Sequence, residues 1–421
     1  MIDLATARAR VRENVPAVAI RERCLAETLD CFLAESIYSE MDSPPYDKAM
    51  VDGYALRAAD VTAAGVELAV IEEVFAGQVA SQAVAPGTAI RIMTGAPVPS
   101  GADAVVMVET TECSGANRER VRIDAPPKRP WQHILPRGTI VRQGDMVLAQ
   151  GKRLRPVELG LLAELGYAQV PVIVPPRVAL VQTGDELVAP GDPLGPGQIR
   201  NSNGILQEML VRRMGAEAWN LGPVADDESS MRQRIQQGLQ ADVLLVSGGV
   251  SMGDKDLVPG ILKQLGVECI FHKVHMRPGQ PIWFGVRADG GTRKLVFGLP
   301  GNPVSGLVCF LTLVAPALLT MSGRDPDWNA EQRRGVLTES FHLQGPRPAY
   351  WPVAYVQSSN TQPCDTSLAA HEHSRSCPAV RPLDWQGSAD LRTVCAADCL
   401  AFFPAGDRTY AVGESLELLE L

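Results

Sequence analysis

The chain has 421 residues, of which 46% are hydrophobic and 21% are charged, a composition that favours several folded domains over extensive disorder. The chain has 39 Lys and Arg residues and 48 Asp and Glu residues, so its net charge is negative. It has no cluster of basic residues that would bind along a phosphate backbone, so nucleic acid is not an expected partner. No apolar stretch is expected to reach the roughly 18 residues that span a bilayer, and no signal-peptide pattern opens the chain, so we expect a cytoplasmic protein without membrane contact.

The first part of the chain alternates between helical and β-rich patterns. Apolar residues at three- and four-residue intervals predict helix over residues 1–40 and again over 151–166. Between them, residues 41–147 offer short β-rich runs punctuated by Gly and Pro, which is typical of a small β domain. PVIVPP (171–176) follows as an extended connector. This order predicts a helical linker domain, residues 1–40 plus 148–172, into which the β-rich domain is inserted.

Strand and helix patterns then alternate as far as Met321. RVALVQT, VLLVSGG and KLVFGLP are apolar strands, and a helical stripe through Ile235 follows the cap candidates Asp226 and Asp227. This alternation predicts a mostly parallel sheet with helices on both faces, in a domain over residues 173–324. Short β runs return over residues 325–421, which predict a small β-barrel or sandwich. The predicted fold class is therefore a multidomain α/β protein.

Small and acidic residues follow three of the predicted strands, in GDE (184–186), SGGVSMGDKD (247–256) and PGNP (300–303). Ligands of open α/β sheets bind outside the carboxyl ends of the strands. Glycines let the backbone approach a ligand closely, while the serines and the N–H groups that open the helix at Asn302 suit a phosphate. The three strand ends therefore predict one site for an anionic, phosphate-bearing ligand.

Carboxylates beside a phosphate repel it unless a divalent cation lies between them. The acidic residues at these strand ends therefore predict Mg²⁺: Asp185, Glu186, Asp254 and Asp256. Each motif alone is also compatible with an ordinary turn or helix cap. Three such strand ends in succession favour a binding site over that alternative.

Cations also precede a predicted strand near this edge of the sheet. Arg277, four residues after Lys273, would contact a phosphate or an oxyanion, although solvated strand-end cations are the alternative. The six histidines are dispersed and none stands beside a GxSxG elbow, so no nucleophilic triad is apparent. No GxGxxG or GxxxxGKS motif follows a strand, which argues against a dinucleotide dehydrogenase and a P-loop NTPase. A zinc site is disfavoured because the spacing of its candidate ligands fits no common pattern: Cys364, His371, His373 and Cys377.

Six blocks span nearly the whole chain: PPYDKAMVDGYALRAAD (44–60), IRIMTGAPVPSGADAVVMVE (90–109), LVQTGDEL (180–187), SGGVSMGDKD (247–256), RPGQP (277–281) and FGLPGNPVS (297–305). They resemble, in the same order, the signature blocks of the molybdopterin molybdenumtransferases, the MoeA and gephyrin E-domain family. The resemblance implies a homodimer of four-domain chains with a MogA-like central domain. It also implies insertion of molybdenum from molybdate into adenylylated molybdopterin, with Mg²⁺ and release of AMP. Molybdopterin adenylyltransferase would donate the substrate, and molybdoenzymes or their chaperones would accept the product.

The resemblance implies roles for individual residues of these blocks. Those implied to hold the pterin and the phosphates are Thr183, Gly184, Glu186, Ser247, Gly248, Gly249, Ser251, Gly253, Asp254, Pro300, Gly301, Asn302, Pro303 and Ser305. Those implied to arrange Mg²⁺ and the water or molybdate that opens the phosphoanhydride are Asp185, Glu186 and Asp256. Asp52 and Thr94 would reach the cleft across the dimer interface. Arg347 and Ser388 would face the same cleft, and Arg277 and Lys273 would act in catalysis.

Two blocks depart from the family pattern. PRGTI (136–140) stands where the family usually has RRGED, so Thr139 and Ile140 replace two acidic residues, with Asp145 as a candidate replacement carboxylate. RPGQP stands where KPGKP is common, and the charge lost at Gln280 is expected to weaken the hold on an oxyanion by ~1 kcal/mol or more. Two alternatives therefore stay open, a molybdopterin-binding scaffold without turnover and a related nucleotide-pyrophosphatase-like enzyme. The choice between molybdate and tungstate also stays open.

Overall fold

The structure is a computed structural model that describes residues 1–115, 118–250, 257–324, 326, 333–356 and 377–421. The chain forms two compact units, each considered by itself. The larger unit comprises residues 1–22, 30–34 and 171–421, and the smaller unit comprises residues 23–29 and 35–170. The division into four domains stays a prediction.

A six-stranded sheet is the centre of the larger unit. Its strands, in spatial order, are Glu217–Val224, Arg177–Thr183, Val243–Ser247, Thr292–Leu299, Trp283–Asp289 and Glu268–His272. The first four strands run parallel, and the last two pairings are antiparallel, which confirms the predicted mostly parallel sheet. The strand Glu217–Val224 was not predicted, because it is an edge strand with one fully buried residue and lacks a continuous apolar run.

Helices cover both faces of this sheet, as predicted. The helices of the larger unit are Leu4–Asn14, Ser202–Arg213, Glu228–Gly238, Val258–Gln264, Pro303–Cys309, Ala315–Met321 and Leu391–Cys395, with a π-helical segment over Phe310–Val314. Val178 shares a core with the helix Ser202–Arg213, whereas its neighbour Ala179 shares another core with the helix Glu228–Gly238. Successive residues of one strand thus face opposite layers.

The helical stretch Pro303–Met321 corrects one expectation from the sequence. Its 19 residues, with a mean hydropathy of 2.1, are long and apolar enough to cross a membrane, although no such stretch was predicted. Within the larger unit, 83% of its most apolar window is buried. A helix that is surrounded by core on most sides becomes apolar around its whole circumference, which accounts for this composition.

The helix predicted over residues 1–40 is confirmed only for Leu4–Asn14. The chain continues in the strands Ile20–Cys24 and Phe32–Leu33, which form a three-stranded sheet around the strand Gln169–Ile173. The apolar intervals in this part come from strands and turns, which a helical period also fits over so few residues. The segment predicted as a connector likewise begins inside a strand.

A closed five-stranded barrel ends the larger unit and confirms the barrel prediction. Its strands, in order around the barrel, are Arg333–Leu337, Ala379–Pro382, Ala349–Tyr355, Cys399–Phe403 and Ser415–Glu420. Two further pairs are Phe341–Gly345 with Gly406–Tyr410, and Leu187–Val188 with Ile199–Arg200. Cys377 is disulfide-bonded, so it offers no thiolate to the disfavoured zinc site, whose other candidates lie outside the described residues.

The smaller unit is built on a six-stranded sheet, which confirms its predicted β-rich character. The strands, in spatial order, are Ala104–Met107, Gly53–Leu56, Thr88–Ile92, Val66–Val74, Arg120–Ile123 and Thr111–Ser114. Two short pairs join Ile134–Leu135 to Lys48–Ala49 and Met146–Leu148 to Ile37–Tyr38. The short 3₁₀ turns are Leu25–Glu27, Ala58–Asp60 and Val108–Thr110. The helix Pro156–Glu164 lies where helix was predicted.

Candidate functional site

A cavity of about 1000 Å³ lies at the carboxyl ends of the parallel strands in the larger unit. The predicted site residues that line it are Thr183, Gly184, Glu186, Ser247, Gly248, Gly249, Arg277, Pro300, Gly301, Asn302, Pro303, Ser305, Arg347 and Ser388. Residues from three separate strand ends therefore share one cavity with the two residues that only the resemblance suggested.

Other predicted residues lie elsewhere. Those outside the described residues are Ser251, Gly253, Asp254 and Asp256. Among the described residues of the larger unit, Asp185 and Lys273 are absent from the cavity wall. Oδ1 of Asp185 accepts the backbone N–H of Asp226 at 3.0 Å, and Asp226 does line the cavity. Lys273 follows a strand with a φ of 70°, a conformation that is unusual for a residue other than glycine.

Asp52 and Thr94 lie together in the smaller unit. Oδ1 of Asp52 accepts the backbone N–H and the side-chain hydroxyl of Thr94, each at 2.7 Å. The backbone bond, the hydroxyl bond and the charge of Arg91 all hold the pKa of Asp52 below its ordinary value. The Asp52 side chain is therefore a carboxylate at neutral pH. Its role toward a ligand stays a prediction.

Most acidic and basic side chains line different parts of the cavity wall. The exception is Arg200, whose strand pairs with Leu187–Val188 directly after Glu186 and whose Nη2 donates to the carbonyl of Asp192 at 3.2 Å. Asp226 follows the edge strand of the sheet and Glu186 follows the second strand, whereas Asn302 follows the fourth. Arg277, from the loop that joins the strands Glu268–His272 and Trp283–Asp289, and Arg347, from the barrel, line the remaining wall. We call Glu186 and Asp226 the acidic end, and Arg277 and Arg347 the basic end.

A glycine-rich floor lies between the two ends. The φ of Gly248 is +92°, and a Cβ on this residue would lie 2.7 Å from the backbone oxygen of Thr183. Only glycine suits this conformation and this space. Asn203 ties the floor together, because its Nδ2 donates to the carbonyl of Gly301 at 2.7 Å and to Oγ of Ser247 at 3.2 Å. Sequence reasoning missed Asn203, whose only signal is an amide in the first turn of a helix.

Four residues of the cavity wall carry buried polar atoms without a hydrogen-bond partner among the residues described. The atoms are Gln182 Nε2, Thr183 Oγ1, Asn203 Oδ1 and Trp385 Nε1. Buried polar groups in folded proteins are nearly always satisfied by protein, water or ligand. These atoms therefore mark a wall that water or a bound molecule would complete. Sequence reasoning missed Gln182 and Trp385 as well, because no sequence motif marks either residue as part of a site.

The C-terminal barrel closes the cavity on its far side. The backbone N–H of Arg277 donates to the carbonyl of Pro348 at 2.8 Å, which sets Arg347 in the same wall as Arg277. Nδ2 of Asn302 donates to Oγ of Ser388 at 2.9 Å. The sheet edge and the barrel therefore build the site jointly, although they are far apart in the chain.

Among the residues that the structure describes, the guanidinium of Arg347 donates hydrogen bonds only to neutral acceptors. Its Nη1 donates to Oε1 of Gln280 and, at 3.5 Å, to the carbonyl of Met276. Neither Arg347 nor Arg277 forms an ion pair with any residue in the described part of the chain. The basic end therefore keeps its positive charge, which suits an oxyanion.

The PRGTI segment of the smaller unit forms an ordered loop, although Thr139 and Ile140 replace the two acidic residues that the resemblance implies there. Nε of Arg137 donates to Oδ2 of Asp42 at 2.6 Å, and the hydroxyl of Thr139 donates to the carbonyl of Pro136 at 2.7 Å. The side chain of Ile140 is exposed. Oδ2 of Asp145 accepts a backbone N–H within its own turn, so part of its hydrogen-bonding capacity is already used.

The donor set at the acidic end matches a hard divalent cation. No group of three or more His, Cys, Asp or Glu side chains that could hold a metal occurs among the described residues. Mg²⁺, however, is usually held by one or two carboxylates together with water and substrate phosphates. Glu186 and Asp226 place two carboxylates in the cavity wall, whereas Asp185 lies outside that wall and the third predicted ligand, Asp256, lies outside the described residues. The residues present therefore fit Mg²⁺.

Three family profiles match successive parts of the chain. Residues 2–166 match the MoeA N-terminal region (domain I and II), residues 179–320 match a probable molybdopterin binding domain, and residues 334–421 match the MoeA C-terminal region (domain IV). The second match contains the strand ends of the cavity, and the third contains Arg347 and Ser388.

Similar proteins cover nearly the whole chain. A molybdopterin molybdenumtransferase from Staphylococcus aureus is 33% identical over 413 residues, which are 97% of this chain and 92% of that protein. One from Bacillus subtilis is 33% identical over 403 residues, 94% of this chain and 88% of that protein. The crystal structure of the molybdopterin biosynthesis MoeA protein from Pyrococcus horikoshii has a TM-score of 0.78 at 30% identity and covers 100% of this chain and 99% of its own.

Proposed function

The chain belongs to the molybdopterin molybdenumtransferase family, and from this premise we propose that it inserts molybdenum from molybdate into adenylylated molybdopterin and releases AMP. It is a transferase of molybdenum cofactor biosynthesis. The observation that supports this specific reaction is that one cavity of about 1000 Å³ combines an acidic end, a glycine floor and a basic end. An adenylylated pterin is a bulky polyanion, and such a ligand needs room, close backbone approach and compensating charge.

Asp185, Glu186 and Asp256 would hold Mg²⁺ at the acidic end. The cation would neutralise charge on the phosphoanhydride, whose P–O bond breaks as a water or molybdate oxygen adds to phosphorus and AMP leaves. The chain's own contribution is to position carboxylates, as the N–H of Asp226 does for Asp185.

The remaining wall would hold the substrates. The floor around Gly248 and Gly301 would approach the pterin and the phosphates, while the basic end and Ser388 would bind an oxyanion. Asp52 and Thr94 would complete the cleft of a second copy in a homodimer. The substrate would come from a molybdopterin adenylyltransferase, and molybdoenzymes or their chaperones would receive the product.

The reaction is tested by loading the purified chain with adenylylated molybdopterin and Mg²⁺ and following AMP with and without molybdate. We expect molybdate-dependent release of one AMP for each bound substrate. Binding without release would identify a cofactor-binding scaffold instead. Release from ordinary dinucleotides without molybdate would identify a pyrophosphatase-like enzyme. Tungstate in place of molybdate measures the choice of metal.

A further inference from the structure

Gln280 lies in the cavity wall beside Arg347 and is the main side-chain acceptor that Arg347 meets there. The amide oxygen of Gln280, Oε1, accepts a hydrogen bond from Nη1 of Arg347. We propose that Gln280 is a positioning residue that fixes the guanidinium of Arg347 in the cavity wall.

The backbone around Gln280 is rigidly held, so its side chain can act as a fixed acceptor. The carbonyl of Gln280 accepts the N–H of Val274 at 3.0 Å, and the N–H of Lys273 donates to Ile282 at 2.8 Å. These two bonds join the two arms of the loop that carries Gln280. The N–H of Arg277 binds the loop to Pro348, the neighbour of Arg347. The loop thus holds the amide oxygen of Gln280, and the barrel holds the guanidinium of Arg347, in a fixed position relative to each other.

The chemistry of the amide matters as much as its position. A carboxylate at position 280 would also accept from Arg347, but it would cancel the positive charge that the cavity needs. A lysine would add charge, but it has only donors and would repel the guanidinium. The amide oxygen orients Arg347 and leaves its charge uncompensated. This combination suits an oxyanion that must be bound in one orientation, because a guanidinium fork then meets two oxygens at once.

The inference rests on the proposed function, in which the cavity takes anionic substrates, and it is tested on the full chain by calorimetry. Molybdate and AMP serve as separate probes, because the oxyanion at Arg347 belongs to one or the other. Gln280→Met removes the acceptor at similar size, and Gln280→Lys replaces the acceptor with a charged donor. Each change is made in the wild-type background and together with Arg347→Ala. Gln280→Glu, which keeps the acceptor, controls for folding.

We expect Gln280→Met and Gln280→Lys each to weaken one of the two probes about tenfold, the worth of one charge-assisted hydrogen bond. With Arg347→Ala present, neither change should weaken binding further, because Gln280 acts only through Arg347. Gln280→Glu should keep the thermal stability and lose affinity. Tighter binding by Gln280→Lys would overturn the inference. A loss of equal size with and without Arg347 would overturn it as well.

Crystal structures of the wild type and Gln280→Met separate this inference from the proposed function. We expect Arg347 to lie against Gln280 in the first and to leave that position in the second. An unmoved Arg347 overturns the positioning role whatever the chain binds. Conversely, a displaced Arg347 together with wild-type protein that releases no AMP would keep the positioning role and remove the proposed reaction.

Discussion

At the acidic end of the cavity, Glu186 and Asp226 stand directly behind two neighbouring strands of one sheet, whereas at the basic end Arg277 and Arg347 come from distant segments that meet through the barrel. The first pair is positioned by local chain geometry, and the second by packing between the sheet edge and Pro348. The two ends also differ in their partners. A backbone N–H holds the neighbouring Asp185, while neutral acceptors hold Arg347. We therefore propose separate tasks, cation binding at one end and oxyanion binding at the other.

Breaking the floor between the ends should have the largest effect. Gly248→Ala would place a Cβ 2.7 Å from the Thr183 backbone oxygen at a φ of +92°. The strain, about 1–3 kcal/mol, and the blocked approach of the ligand should together lower AMP release about 100-fold or more. Gly260→Ala is the matched control, because its Cβ would meet nothing within 4 Å. Near-normal release by Gly248→Ala would mean that the ligand lies elsewhere.

Removing charge from the basic end should come next. Arg347→Ala deletes a guanidinium that has no carboxylate partner among the described residues, so its charge is available to substrate. The half-saturating concentration of molybdate or of the adenylylated substrate should rise about 10- to 100-fold, with a smaller change in maximal rate. Arg334→Ala, an exposed arginine of the barrel that contacts Ser415, controls for a general loss of charge. Equal effects of the two substitutions would contradict the assignment.

A change at the acidic end should alter a different parameter. Glu186→Gln keeps the size of the side chain but removes one carboxylate that we assign to Mg²⁺. The Mg²⁺ concentration needed for half-maximal AMP release should rise at least about tenfold. Glu217→Gln removes an exposed carboxylate at the beginning of the edge strand and should leave the Mg²⁺ requirement unchanged. An unchanged requirement in Glu186→Gln would remove this residue from the metal site.

The ion pair between Arg155 and Glu158 has a structural role, unlike the charges of the cavity, and breaking it should have the smallest effect of the four changes. Hydrogen bonds from the side chain and the N–H of Arg155 lower the pKa of Glu158 to about 2, from an ordinary value of 4.5. Because the folded pKa is lowered, this stabilisation is complete above about pH 4.5 and is lost as the pH falls toward 2. Glu158→Gln should lower the melting temperature by a few degrees at pH 7, and the difference should shrink below pH 4.5. A pH-independent difference would contradict this origin, and AMP release should not change.

The same contrast explains what the sequence could predict. Gly184, Ser247 and Asn302 line one cavity because the alternation of strands and helices sends residues behind parallel strands to one edge, which the sequence pattern indicates. Arg347 and Ser388 came only from the family resemblance, since no local pattern shows that a barrel residue meets a sheet edge. Asn203, Gln182 and Trp385 were missed because hydrogen bonding and burial, which a linear pattern does not encode, give them their place in the wall.

The helix predicted over residues 1–40 failed for a related reason. Apolar residues at three- and four-residue intervals arise in short strands and turns as well as in helices, and here tertiary pairing with the strand Gln169–Ile173 decides the structure. By contrast, the helix that opens at Asn302 was predicted, and burial of most of Pro303–Met321 accounts for its lack of a polar face.

The division of labour between the two ends is tested most directly by one experiment, AMP release at varied molybdate and Mg²⁺ by the wild type, Glu186→Gln and Arg347→Ala. We predict that Glu186→Gln shifts the Mg²⁺ dependence and leaves the half-saturating concentrations of the anionic substrates near those of the wild type. Arg347→Ala should raise one of those concentrations and leave the Mg²⁺ dependence unchanged. If both substitutions altered the same dependence to the same extent, the two ends would not have separate tasks.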